Sequence, residues 1–142
     1  MERMEKEFVD YKIALELKEL GFDEPCWCYF IDDILNQSMF LKDYEYLDTM
    51  NQKYNTYVLA PTYSQAFRWF EDNHQLYPAV VIDQTSYPKY AFEIASFFGN
   101  PKDLTEKEWG WNEMVLSRSL YRTKTEAELE CLKKLIEIVK EK

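Results

Sequence analysis

Apolar residues recur at helical spacing in three stretches of the chain and alternate with polar ones in several others. In residues 10–21, Ile13, Ala14, Leu17 and Leu20 fall on one helical face. Asp10 stands where a capping side chain is needed. Gly21 stands where a left-handed stop is needed, which would fold Phe22 back towards Leu17. The central stretch, 60–74, places Tyr63, Ala66, Phe67 and Phe70 at i, i+3, i+4 and i+7. Pro61 suits a first turn, and Thr62 with Gln65 has the spacing of a capping box. Trp69 lies at the edge of that stripe, where an amphipathic ring is half-buried. Asn73 and Pro78 mark the exit. The last stretch carries Leu129, Leu132, Leu135, Ile136 and Val139 behind Thr125 and Glu128, a second capping-box spacing. Lys133, Lys134, Lys140 and Lys142 crowd its C-terminal half, where cations complement the helix dipole.

Between these helices the pattern turns to β. Residues 26–31 (CWCYFI) read as a buried strand, followed by turn signals at Asp32-Asp33 and at Asn36-Gln37-Ser38. Phe40, Tyr44 and Tyr46 share a strand parity that Lys42 interrupts. Residues 51–55 read as a turn, and 56–60 as a short strand leading into the central helix. Residues 79–83 (AVVID) form a compact β-branched run that predicts an interior strand. After a turn at 86–89 containing Pro88, Tyr90, Phe92, Ile94 and Phe98 line one strand face, with Lys89 and Glu93 on the other. Gly99-Asn100-Pro101 ends that strand. Residues 102–112, with Trp109 and Trp111, suit a loop or a short helical turn, and 113–121 is read as strand. The expected architecture is α+β: one domain over 1–142, with a mostly antiparallel sheet of four to six strands packed by the central and C-terminal helices.

Composition sharpens this picture in two ways. Aromatic residues make up 17% of the chain, among them 11 Tyr and 4 Trp. The polar tips of that many Tyr and Trp require some to reach the surface, where interfaces are enriched in them. The net charge is −9 and is unevenly placed: residues 1–75 carry a balance of −8 and residues 76–142 one of −1. An acidic first half argues against direct nucleic-acid binding, which needs a positive stripe, and suits a basic partner surface or mimicry of nucleic acid. Soluble surface charge alone also explains it. No apolar run reaches the length of a membrane span, and the charged start (MERMEKEF) has no signal-peptide core, so a cytoplasmic setting with reduced thiols is expected.

Candidate chemistry is sparse. Cys26-x-Cys28 is too closely spaced for a structural zinc site and has only Cys131 and His74 to complete it; packing beside Phe30 on one strand face explains it. His74, the single histidine, has Glu71 three residues earlier to orient it, but no nucleophile signals itself; a helix-end histidine at the negative dipole pole accounts for it. Asp32-Asp33, with Asp23 and Glu24 nearby, lacks the spacing of a cation loop and reads as a solvated turn. Three glycines cannot supply a phosphate loop or dinucleotide fingerprint, and no metal or cofactor is expected. One local feature stands out. Arg118, Arg122 and Lys124 occur with no acid among them, beside Tyr121 and just before a helix start. Arginine at a helix N-terminus binds phosphate or carboxylate, and an adjacent ring can stack a base. Together with Thr62, Ser64, Arg68 and Trp69 of the central helix these would form a nucleotide-sized anion site, unless the cations simply pair with the acidic first half.

Four stretches carry a resemblance: MEKEFV from Met4, LKELGFDEPC ending at Cys26, LAPTYSQAFRWF from Leu59, and ELECLKKLIEIVKE from Glu128. They resemble a family of small uncharacterised proteins from phages, prophages and mobile elements of Bacteroidetes. The resemblance covers under half of the chain; residues 29–57 and 84–122 depart from it. It implies a phage or mobile-element setting inside a bacterial host cell and a start equivalent to Met4, but no activity. With no catalytic motif, the leading expectation is a non-enzymatic protein that binds a host component and antagonises a defence system, with self-association open. In one form an acidic patch including Asp43, Glu45 and Asp48 docks a basic host protein. In the alternative, the arginine region sequesters a small nucleotide signal. Hydrolase or nuclease activity is a further alternative.

Overall fold

The computed structural model describes residues 6–37, 57–84, 89–99, 108, 110–112, 114–117 and 119–142. The expected strand around Phe40, Tyr44 and Tyr46, the turns at 51–55 and at Pro88, and Trp109 lie outside them. The described residues form an α+β structure with three helices and two antiparallel sheets, of three and four strands. The alternation pattern led to one sheet; it identifies strands but carries no information on which strands pair. The chain divides into two compact units, Met1–Ser64 and Gln65–Lys142.

In the first unit, α1 (Tyr11–Glu19) has Asp10 as its N-cap, accepting from Ile13 N at 2.8 Å. It closes with the paired bonds of a Schellman motif: Gly21 N donates to Lys18 O at 3.1 Å and Phe22 N to Leu17 O at 2.9 Å. Gly21 sits at φ +99, which a side chain rarely adopts. Ile13, Ala14, Leu17 and Phe22 are buried. Strands β1 (Cys28–Ile31), β2 (Ile34–Gln37) and β3 (Tyr57–Ala60) form the sheet in the order β2-β1-β3. Asp32 and Asp33, at φ +50 and +66, make the two-residue turn between Ile31 and its partner Ile34. Asn36 lies within β2 rather than in a turn, its amide donating to Ile34 O at 2.8 Å. Cys26, Cys28 and Phe30 are buried as expected, and Tyr11 meets the Phe30 ring edge-on at 5.4 Å. Phe8 bridges to Thr62, with Val9 N donating to Pro61 O at 3.0 Å and Tyr63 N to Glu7 O at 3.1 Å.

These bonds hold the chain where α2 (Tyr63–His74) begins. Pro61 is therefore two residues before the helix, and Thr62 immediately precedes it. In the second unit β4 (Leu76–Asp83) pairs along its length with β5 (Lys89–Phe98), whose other side takes β6 (Gly110–Trp111) and β7 (Val115–Leu116). The run at 79–83 was expected to be interior. Among the described residues β4 pairs on one side only, and none of Ala79–Asp83 is buried. Pro78 fits that position, because an edge strand tolerates a missing N–H. In β5 Phe92 and Ile94 are buried, but Phe98 is exposed and its ring lies against Gly110, where a Cβ would meet it at 3.0 Å.

Helix α3 (Lys124–Lys140) packs on β4 and β5 with Ala127, Cys131, Leu132, Leu135 and Ile136 buried. Its N-cap is Thr123, which accepts from Glu126 N at 3.1 Å, and not Thr125. Both threonines have a glutamate three residues on, so spacing alone could not separate them.

Candidate functional site

A chemically equipped cavity of the second unit is built at the exit of α2. The helix stops because Gln75 turns left-handed, at φ +53. That residue is clasped by the end of β5: Phe97 N donates to Gln75 O at 3.1 Å, and Gln75 Nε2 donates to Gly99 O at 2.9 Å. Asn73 Nδ2 closes the last turn on Trp69 O at 3.0 Å. His74 is thereby fixed beside the sheet, its ring 5.0 Å from that of Trp69 and 5.9 Å from that of Phe70.

Leu76 pairs with Ser96 and Ile94 with Val115, so these four side chains point to the face of the sheet that α3 covers. Beyond that cover lies a cavity of about 240 Å³. Its apolar lining is Leu76, Ile94, Phe97, Val115 and Ile138; its polar lining includes His74, Ser96, Asn112 and Lys142. Among the described residues, the side chains of those four polar residues make no hydrogen bond or ion pair within the protein. Burial pushes the His74 imidazole below its ordinary value, and the Lys142 ammonium pushes it further the same way. Desolvation is the larger of these two causes. Glu71 does not orient the ring, since no hydrogen bond joins them. Its own carboxyl is raised by burial and by Asp72, against the opposing Arg68. His74 also has no hydrogen bond to Ser96, so no nucleophile–base–acid relay is assembled.

The residues singled out in the sequence fare differently. Trp69 is 5% exposed, its ring edge-on to Phe70 at 5.0 Å, so it belongs to the core rather than to a half-buried edge. Phe67 is the residue only partly covered. The buried stripe is turned by a fraction of a helical step, which periodicity alone does not resolve. Thr62 has its backbone engaged beside Phe8, while Ser64 and Arg68 are exposed. Tyr121 exchanges backbone hydrogen bonds of 2.7 and 2.8 Å with Tyr90 and stacks on Phe92, ring centroids 6.3 Å apart. Burial raises its phenol, Glu130 and Cys131 add to the rise, and Lys133 opposes it. Its ring already has a partner on one face. Arg122 is exposed just before the Thr123 cap. Arg118, Asp43, Glu45 and Asp48 lie outside the described residues.

The three cysteines are buried free thiols; Cys26 Sγ donates to Glu24 O at 3.2 Å. Burial raises the Cys28 thiol and pushes Cys131 to about 12, with Glu128 contributing. Among the described residues no group of three or more His, Cys, Asp or Glu could hold a metal ion, and no helix is long and apolar enough to cross a membrane.

A second feature lies on the sheet face opposite α3. Phe97 pairs with Trp111, and Tyr77 and Phe97 each meet the Trp111 ring edge-on at 5.2 Å. Trp111 is nonetheless 57% exposed, and Leu116, facing the same way from β7 beside Glu93, is 58% exposed. Periodicity missed it because β6 and β7 are two residues long.

No protein-family model matches the chain, and comparison with curated proteins and with solved structures finds no match.

Proposed function

We propose that this is a non-enzymatic binding protein of a phage or mobile element, acting inside the bacterial cell by docking a host protein. The observation that carries the reading is Trp111: a large ring steered by two aromatic neighbours yet mostly open to solvent, with exposed Leu116 on the same face. Rigid aromatic anchors of this kind supply contact area at little entropic cost and are enriched at interfaces. The net charge of −9 favours a basic partner, and antagonism of a host defence is the biological role such docking would serve. Nucleotide sequestration has less support, because the Tyr121 ring proposed to stack a base already stacks on Phe92.

The test is capture from a Bacteroidetes host lysate by tagged wild type, Trp111→Ala and Leu116→Ser proteins, each first shown to fold. A partner retained at low salt by wild type and lost by both variants supports the reading. Equal capture by all three removes this face as the docking surface.

A further inference from the structure

The cavity at the exit of α2 has a chemistry that protein docking on the opposite sheet face does not use. We propose that it binds a small carboxylate with an apolar body, the carboxylate on Lys142 Nζ and its hydrogen bonds on Ser96, Asn112 and the His74 ring.

Three observations select that ligand. First, the side chains of the lining include one lysine and no carboxylate. Lys142 is the charged side chain of its lining, and it has no acidic partner among the described residues. The other ion pairs of α3, Lys133 with Glu130 and Lys134 with Glu137, lie further back along the helix on its solvent side. Second, the side chains of Ser96, Asn112 and His74 have no hydrogen-bond partner among the described residues. All three residues line one space. Half-buried donors such as those of His74 and Ser96 are normally satisfied, so two of them beside one cavity, with the exposed Asn112 in the same lining, mark a place for an acceptor from outside. Third, the floor is aliphatic: Leu76, Ile94, Val115 and Ile138. A monoanion with a short apolar body covers that floor, whereas a phosphate dianion would face it with charge left unpaired. The cavity's 240 Å³ is room for about eight waters at ~30 Å³ each, which sets the size as a small acid.

The state of His74 follows. Among the described residues, Lys142 from α3 and Trp69 and Phe70 from its own helix stand around the ring, and the sheet residues of the lining, Leu76, Ile94, Ser96, Phe97 and Val115, are not titratable. The Lys142 ammonium disfavours the imidazolium. A bound carboxylate neutralises that ammonium, so binding and His74 protonation assist each other by linkage.

The carboxylate could belong to a free short-chain acid or to the C-terminus of a peptide. Hexanoate and benzoate represent the first, N-acetyl-leucine the second. Each is compared with its amide and with inorganic phosphate, near neutral pH, by calorimetry and by the imidazole NMR signal of the single histidine. At least one acid is expected to bind with a submillimolar Kd, about tenfold tighter than its amide and than phosphate, and to move the His74 resonance to the protonated side. Lys142→Gln, an exposed helix-end change, is expected to fold normally and to lose about tenfold in affinity for that acid. The tighter of the two acid types identifies the source. Amides or phosphate binding as tightly as the acids overturns the proposal. So does unchanged affinity in folded Lys142→Gln, a stationary His74 signal, or no binding of any acid at about 10 mM.

Discussion

The His74 imidazole meets the Trp69 indole edge-on, ring centroids 5.0 Å apart and planes at 65°. This contact belongs to the neutral ring, because burial and Lys142 hold the imidazole below its usual value. Above the unfolded value near 6.5, folded and unfolded chains are both neutral and His74 adds no pH dependence. As pH falls through that value the unfolded chain takes up its proton first. Stability is lost until the folded value is passed, and the deficit is constant below it. Glu71 works with the opposite sign. Its raised carboxyl penalises the fold at high pH, and that penalty is relieved as pH falls through its folded value. Between pH 7 and 6, comparison with His74→Gln isolates the imidazole's share. Thermal denaturation there should show a falling Tm in wild type and a flatter profile in His74→Gln; identical slopes would contradict the assignment.

The cap of α3 separates two threonines that look alike in the sequence. Thr123 Oγ1 accepts from Glu126 N at 3.1 Å. Thr123→Ala should cost about 1 kcal/mol, while Thr125→Ala, inside the first turn, should change stability by less than about 0.5 kcal/mol. Urea midpoints of the two variants decide it; the reverse order would restore Thr125 as the cap.

These cases show what was legible. Helix α1 could be read from end to end because Asp10, the Leu17 face, Gly21 and Phe22 are local signals acting on their own turn. The shared face of Cys26, Cys28 and Phe30 followed from strand alternation for the same reason. Pairing was not legible. Phe30 meets both Leu35 and Val58, one across a turn and one far along the chain, and the pattern of neither segment names its partner. The burial of Trp69 in place of Phe67 depends on which side of α2 the core lies, a tertiary fact. The cavity was the least legible of all. His74, Ser96, Asn112 and Lys142 come from four separate segments with no motif, and only the fold brings them to one space.

Gly21 tests the α1 stop without a steric complication. A Cβ there would meet nothing within 4 Å, so the cost of Gly21→Ala is that of holding φ at +99. An expected loss of about 1 kcal/mol reflects roughly 1–2 kcal/mol of left-handed strain, partly offset by the stiffer unfolded chain. Gly21→Asn should lose less, because Asn tolerates that region better. Equal losses for Ala and Asn would mean that the strain is not what the glycine relieves.

The thiols make a kinetic prediction. Cys131 is fully buried and its thiol is pushed up to about 12, so at pH 8 almost none is thiolate. Cys26 and Cys28 are buried as well. Iodoacetamide should leave all three unmodified in the native protein and alkylate all three in denaturant, as read by intact mass. Labelling of native Cys131 at the rate of a free thiol would show that the α3 face opens far more readily than its packing implies.

The β1–β2 turn is where the sequence spends stability most visibly. Asp32 and Asp33 occupy φ +50 and +66, the pair of left-handed positions that a two-residue hairpin of this twist demands. Aspartate reaches that region at a cost, and two adjacent carboxylates add repulsion. Asparagine followed by glycine is the preferred pair there, because the side-chain amide favours the first position and the absent Cβ frees the second. Changing Asp32→Asn with Asp33→Gly should therefore stabilise the protein by about 1 kcal/mol, with the gain reduced by the extra freedom glycine gives the unfolded chain. Both side chains are exposed, so no buried contact is lost in the exchange. The urea midpoint should rise with an unchanged m-value, marking a change in stability rather than in compactness. Asp33→Ala supplies the contrast: it removes the same charge but keeps a Cβ at φ +66, and should lower the midpoint. If Asp33→Ala and Asp33→Gly moved it alike, charge rather than backbone geometry would be what limits this turn.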